Sequence, residues 1–131
     1  MTFLRRVLKV QGALWALFGV ALAVAPGLVL RLLDQPPVAD GVWLRMAGVM
    51  AVVLAMLMVL VSQHLKETWW WAWSFALLGA GTATVFVLNA LVGLPEGAAA
   101  WPWWTFGVVD LAFAAALLWG LARSGQENPF V

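Results

Sequence analysis

The sequence has no cysteine and one histidine, and only 10% of its 131 residues are charged, against about 25% in an ordinary soluble domain. Without cysteine there is no disulfide framework, thiolate nucleophile, structural zinc site or iron–sulfur cluster. With His64 alone, no bis-His haem can form within one chain. Seven Lys and Arg balance six Asp and Glu to a formal net charge of +1, and the basic residues group only at Arg5, Arg6 and Lys9. Nothing of this kind tracks a phosphate backbone, so nucleic acid is excluded as a partner. Glycine-rich phosphate loops of the GxxxxGKS or GxGxxG type are missing. The carboxylates Asp34, Asp40, Glu67, Glu96 and Glu127 fall in loops and ends, unpaired. No catalytic residues, metal ligands or cofactor are expected from such a set.

What the chain has is apolar length. Residues of the set AVILMFWYC make up 65% of it, and a spanning helix needs about 20 of them in succession. Four stretches qualify, at about 10–30, 42–61, 69–92 and 103–122. The segments between them carry Pro36-Pro37, the polar run Ser62 to Thr68, and Pro95, Gly97 and Pro102, and read as loops. Short loops make consecutive helices antiparallel neighbours. The expectation is an all-α integral membrane four-helix bundle, one membrane domain over 1–131.

Arg5, Arg6 and Lys9 before an apolar run ending in Ala23-Val24-Ala25 imitate a secretory signal. The run is too long for a signal core, and Pro26 would follow the cut directly, so the segment reads as the first span, kinked or ended at Pro26. With the N-terminus in the cytoplasm, Arg5, Arg6, Lys9, Lys66 and Arg123 lie inside against Arg31 and Arg45 outside, which orients both termini inward in a bacterial inner membrane. Tryptophan marks the same interfaces: Trp69, Trp70, Trp71, Trp73 and Trp119 on the inner side, Trp43, Trp101, Trp103 and Trp104 on the outer. Adjacent rings on a helix point about 100° apart, so the Trp69–Trp71 triplet is a belt, not a cation cage.

Charges within a span are costly and mark functional sites by default. Arg45, near the outer end of the second span, can snorkel. Asp110, six residues inside Trp104, cannot. Both helices run inward from the outer side, so an Arg45–Asp110 ion pair with Asn89 as a further hydrogen bonder is expected, either as a structural clamp or as a ligand or proton site. Arg45, Gly48, Val52, Ala55 and Val59 share one helical face, and Gly107, Asp110, Ala114, Leu117 and Leu121 another. Gly12-x-x-x-Ala16 and Ala76-x-x-Gly79-x-x-x-Ala83 repeat the small-residue pattern that lets membrane helices approach. Thr82, Thr84 and Ser74 read as hydroxyls bonded back to their own helix. Gln11 reads as an interfacial or interhelical hydrogen bonder, and His64 as a solvated loop residue or an interface ligand for haem or quinone. Small proton-coupled multidrug exporters share the length and helix number, but rest on a Glu in the first helix, where this chain offers only Gln11.

Leu44-Arg45-Met46-Ala47-Gly48, Leu94-Pro95 and Val109-Asp110-Leu111-Ala112-Phe113 resemble a group of small bacterial four-helix membrane proteins loosely related to the DoxX-like proteins. The resemblance covers nearly the whole chain and implies a four-helix membrane fold in which Arg45 and Asp110 occupy the group's recurring polar positions. It implies no established reaction. The function expected is that of a non-catalytic accessory or scaffold subunit, in contact with the bilayer and with other membrane subunits or its own copies. The alternatives are a small transporter or binder of a hydrophobic ligand anchored by Asp110 and Arg45, and a subunit completing a quinone or haem site at an interface through His64.

Overall fold

Long apolar runs fold in hydrocarbon only where each backbone polar group finds a partner within the segment, which selects helices. The computed structural model describes residues 1–127, with α1 at Thr2–Val24, α2 at Pro26–Leu32, α3 at Val42–Gln63, α4 at Leu65–Thr68, α5 at Ala72–Leu88 and α6 at Trp101–Glu127. A 3-10 turn at Trp69–Trp71 joins α4 to α5, and a π-helical turn at Asn89–Gly93 closes α5. Four segments, Thr2–Val24, Val42–Gln63, Leu65–Gly93 and Trp101–Gln126, are long and apolar enough to cross a bilayer. The protein is an all-α, multi-pass membrane protein. Its lateral surface is predominantly apolar, with Leu17, Met50, Met56, Leu77 and Val108 all exposed.

Pro26 interrupts the first span as its chemistry requires. Ala25 leaves the helical region at φ −136° and ψ 65°, and the helix restarts with Pro26 at its first position, where a missing N–H is tolerated. At the far end of α2 the chain closes a Schellman turn: Gln35 N–H donates to Leu30 O at 2.8 Å and Asp34 N–H to Arg31 O at 3.2 Å. Asp34 takes the left-handed position of that turn, at φ 52°.

The polar run Ser62 to Thr68 is not a loop. Helix continues to Gln63, breaks at His64 and resumes at Leu65, because Leu65 and Trp69 are drawn into the core. Trp69 is therefore buried rather than part of an interfacial belt, while Trp70, Trp71 and Trp73 remain exposed. The first helix also begins at Thr2, eight residues before the expected span, which moves Gln11 from a helix end into a helix interior.

Two antiparallel pairs make up the bundle. In the first, α1 and α3 cross through small residues: a Cβ added to Gly12 would meet Ala55 O at 3.2 Å, and one on Gly19 would meet Gly48 O at 2.7 Å. The contacts recur seven residues apart on both helices, Gly12 and Gly19 on α1 and Gly48 and Ala55 on α3. In the second pair a Cβ on Gly79 of α5 would stand 3.1 Å from Asp110 O of α6, and one on Gly107 of α6 3.1 Å from Val87 Cγ2. The pairs join along α1 and α6, where Leu4 packs on Gly120 and the Phe18 and Phe106 rings lie 5.1 Å apart. The order around the bundle is thus α3, α1, α6, α5, with α3 and α5 in slight contact.

The two ends differ. At the terminal end, which holds Met1 and the last turns of α6, Leu4, Leu8, Met58, Leu65, Leu117 and Leu121 form a close-packed core. Its cohesion is dispersion, since lipid tails are as apolar as these side chains. Toward the distal end, half-buried aromatic rings cluster: Phe86 lies 5.7 Å from Phe106 and 5.9 Å from Trp103.

Candidate intramembrane polar site

Close approach of α5 and α6 at Gly79 and Gly107 sets the geometry of Asp110, a carboxyl deep within the fourth span. Asp110, 7% exposed, stands with Oδ2 2.6 Å from Thr82 Oγ1 of α5. Thr82 Oγ1 is also 2.9 Å from Leu78 O and 3.2 Å from Gly79 O of its own helix. A hydroxyl carries one hydrogen, so it donates to one of these at a time. Facing a carboxylate, Thr82 donates to Asp110; facing a carboxyl that brings its own hydrogen, it accepts from Asp110 and donates to Leu78 O. The arrangement accommodates both forms without moving a heavy atom. Thr84 Oγ1, by contrast, bonds only to Ala80 O, at 2.8 Å, in the back-bonding expected of it.

Arg45 does not reach Asp110. Its Nη1 donates to Ala23 O at 3.0 Å and Val24 O at 3.3 Å. The break at Pro26 deprives these carbonyls of their helical donors, and a cation at a helix C-terminus also meets a favourable dipole. The expected Arg45–Asp110–Asn89 cluster is therefore corrected: α3 lies beside α1 through Gly48, while α6 lies between α1 and α5, so the two charges stand on opposite sides of the bundle. Asn89 turns to its own helix, donating from Nδ2 to Val85 O at 2.8 Å at the start of the π turn. His64 is exposed at the end of α3, its Nδ1 3.3 Å from Leu60 O. Gln11 is fully buried, and neither its Nε2 nor its Oε1 has a partner.

Two polar features escaped the sequence reading. Thr82 is the interhelical partner of Asp110, and its signal is the matched spacing Gly79-x-x-Thr82 and Gly107-x-x-Asp110. At the distal end the first and third loops are tied together. Gln35 Nε2 donates to Ala99 O at 3.0 Å, Trp103 Nε1 to Gln35 Oε1 at 3.1 Å and Trp101 Nε1 to Asp34 Oδ2 at 3.2 Å. A backbone bond from Ala99 N–H to Asp34 O at 3.0 Å completes this latch.

Beside Thr82, a shallow groove of about 470 Å³ runs along α5, lined by Leu77, Leu78, Gly81, Thr82, Val85 and Phe86. Thr82 is its polar lining residue. No three His, Cys, Asp or Glu side chains converge among the described residues. Comparison of the chain with protein-family models, curated proteins and solved structures gave no match.

Proposed function

We propose that the protein is a non-catalytic membrane subunit that acts as a scaffold, holding other membrane proteins or further copies of itself through its lateral surface. The observation that carries this reading is where the span polar groups go. Arg45 caps α1, Asp110 ties α6 to α5, and Thr84 and Asn89 bond to their own helices, which leaves an apolar exterior suited to association by packing. In this reading both termini face the cytoplasm of a bacterial cell, following the Lys/Arg bias of the loops, and the DoxX-like resemblance of the Arg45 and Asp110 segments belongs with it. The test is extraction of a tagged copy from its native membrane in mild detergent, with mass spectrometry of what accompanies it. A stoichiometric membrane protein, or a defined homo-oligomer, is the expected outcome; recovery as a lone monomer overturns the proposal.

One observation favours a second reading, the binding of a hydrophobic molecule. The α5 groove carries a single hydroxyl backed by a carboxyl, a combination that suits an apolar ligand with one hydrogen-bonding group. Small molecules retained through purification and lost in Thr82→Val would select it over the scaffold.

A further inference from the structure

A second groove, of about 370 Å³, lies between α1 and α3 on the lateral surface. Small residues make the depression. A Cβ on Gly12 would meet Ala55 O at 3.2 Å and Val59 Cγ2 at 3.3 Å, and the neighbouring lining positions of α1 are Ala13 and Ala16, so the seam between the helices carries little side-chain bulk. Met56 and Leu60 of α3, both exposed, stand beside it. Polarity is graded along the groove. Its polar lining residues are Lys9 and Gln63, and because α1 and α3 are antiparallel both stand at the terminal end. The lining beyond them is apolar as far as Ala16, about 10 Å farther in at 1.5 Å per residue. Lys9 is exposed and has no carboxylate partner among the described residues. Arg6, also exposed, stands three residues before it and adds a second cation on the neighbouring turn. In a bilayer the stem of such a lysine lies along apolar surface while its ammonium reaches headgroup level.

We propose that this groove is a binding site for one anionic phospholipid, with an acyl chain laid against Gly12, Ala13 and Ala16 and the phosphate beside Lys9 and Gln63. The lining sets the occupant. A free anion would match Lys9 and leave the apolar length unused. A partner helix is about 10 Å across, so a 10 Å length of it takes up roughly twice the volume of the groove. An acyl chain is thin enough to lie in the seam, and the headgroup it carries falls at the level of the two cations, where each Lys or Arg favours an anionic lipid over a neutral one. The site follows from the multi-pass fold and does not depend on the scaffold reading, since the α1–α3 groove occupies a small part of the lateral surface.

The test releases the full chain from nanodiscs of phosphatidylcholine containing a minor share of phosphatidylglycerol and counts the lipids it retains by native mass spectrometry. One retained phosphatidylglycerol per chain is expected. Lys9→Gln should weaken its retention relative to phosphatidylcholine by about fivefold, and Ala13→Leu, which fills the groove, should abolish it. Two controls stand outside the groove: Lys66→Gln removes a charge at the same end, and Ala115→Leu enlarges an exposed residue of α6. Both should retain the lipid as the unaltered chain does. Lys9 is exposed, so its variant keeps the test decisive even where Ala13→Leu fails to fold. The proposal is overturned if phosphatidylglycerol is not preferred, if Lys66→Gln costs as much as Lys9→Gln, as diffuse surface charge would require, or if Ala13→Leu retains the lipid. A dimer that Ala13→Leu disrupts, with no lipid held, would give the groove to a second copy of the chain and overturn it equally.

Discussion

Gly19 of α1 and Gly48 of α3 face each other so closely that a Cβ on either would fall within 2.7 Å of the other's carbonyl oxygen. No side chain could give way there, because the obstruction is backbone. Gly48→Ala is expected to destabilise the protein by about 1–3 kcal/mol, read as a lowered midpoint in a detergent unfolding titration. Gly81→Ala, where a Cβ would meet nothing within 4 Å, gains helix propensity and is expected to be neutral or stabilising by up to about 1 kcal/mol. Equal effects of the two changes would contradict the crossing described.

Arg45 and Pro26 are predicted to be energetically coupled. Arg45→Met leaves Ala23 O and Val24 O without donors, a loss of about 1–3 kcal/mol. Pro26→Ala lets the helix run on and supply its own donors to those carbonyls. In that background Arg45→Met should cost less, with a coupling of about 0.5–3 kcal/mol in a double-mutant cycle. Simple additivity would refute the capping role.

The Thr82–Asp110 bond gives a third prediction. Thr82→Val keeps the shape and removes the hydroxyl, with an expected loss of about 1–3 kcal/mol as the buried carboxyl loses its partner. Thr82→Ser keeps the hydroxyl and should retain most of the stability. Unfolding midpoints of the two proteins, measured side by side, decide the matter.

Asp34 holds a left-handed conformation in which a Cβ is disfavoured and a β-branched one most of all. Asp34→Val should cost about 1–2 kcal/mol in backbone strain, besides the bond to Trp101. Asp34→Asn, which tolerates this conformation and keeps an acceptor, should be close to neutral. Limited proteolysis of the segment 33–41 would report the difference as faster cleavage in the valine variant only.

The four spans, the break at Pro26 and the buried stripe of α6 were legible in the sequence, because hydropathy, proline chemistry and helical period are local properties. Neighbour relations were not. Of the face shared by Arg45, Gly48, Val52, Ala55 and Val59 only Gly48 and Ala55 are buried and Arg45 is exposed, and nothing in a periodicity says whether α1 or α6 lies against that face, which is why the ion pair with Asp110 failed. Trp69 was misplaced because the tighter 3-10 turn rotates the triplet away from α-helical directions, with Leu65 drawing it inward. Gln11 was read as an interfacial or interhelical hydrogen bonder near a helix end because Arg5, Arg6 and Lys9 set the start of the apolar count, whereas the helix itself starts at Thr2.

The division into an α1–α3 pair and an α5–α6 pair, each glued by glycine and joined to the other by a narrower seam, bears on biogenesis. Each pair is contiguous in the chain, so its most intimate contacts form between a span and the one made next. The nascent protein can enter the bilayer as two successive hairpins, each already satisfied in its own backbone bonds and its tightest crossing. Only the final docking of hairpin on hairpin awaits completion of the chain, and the bond from Thr82 to Asp110 is by then internal to the second of them.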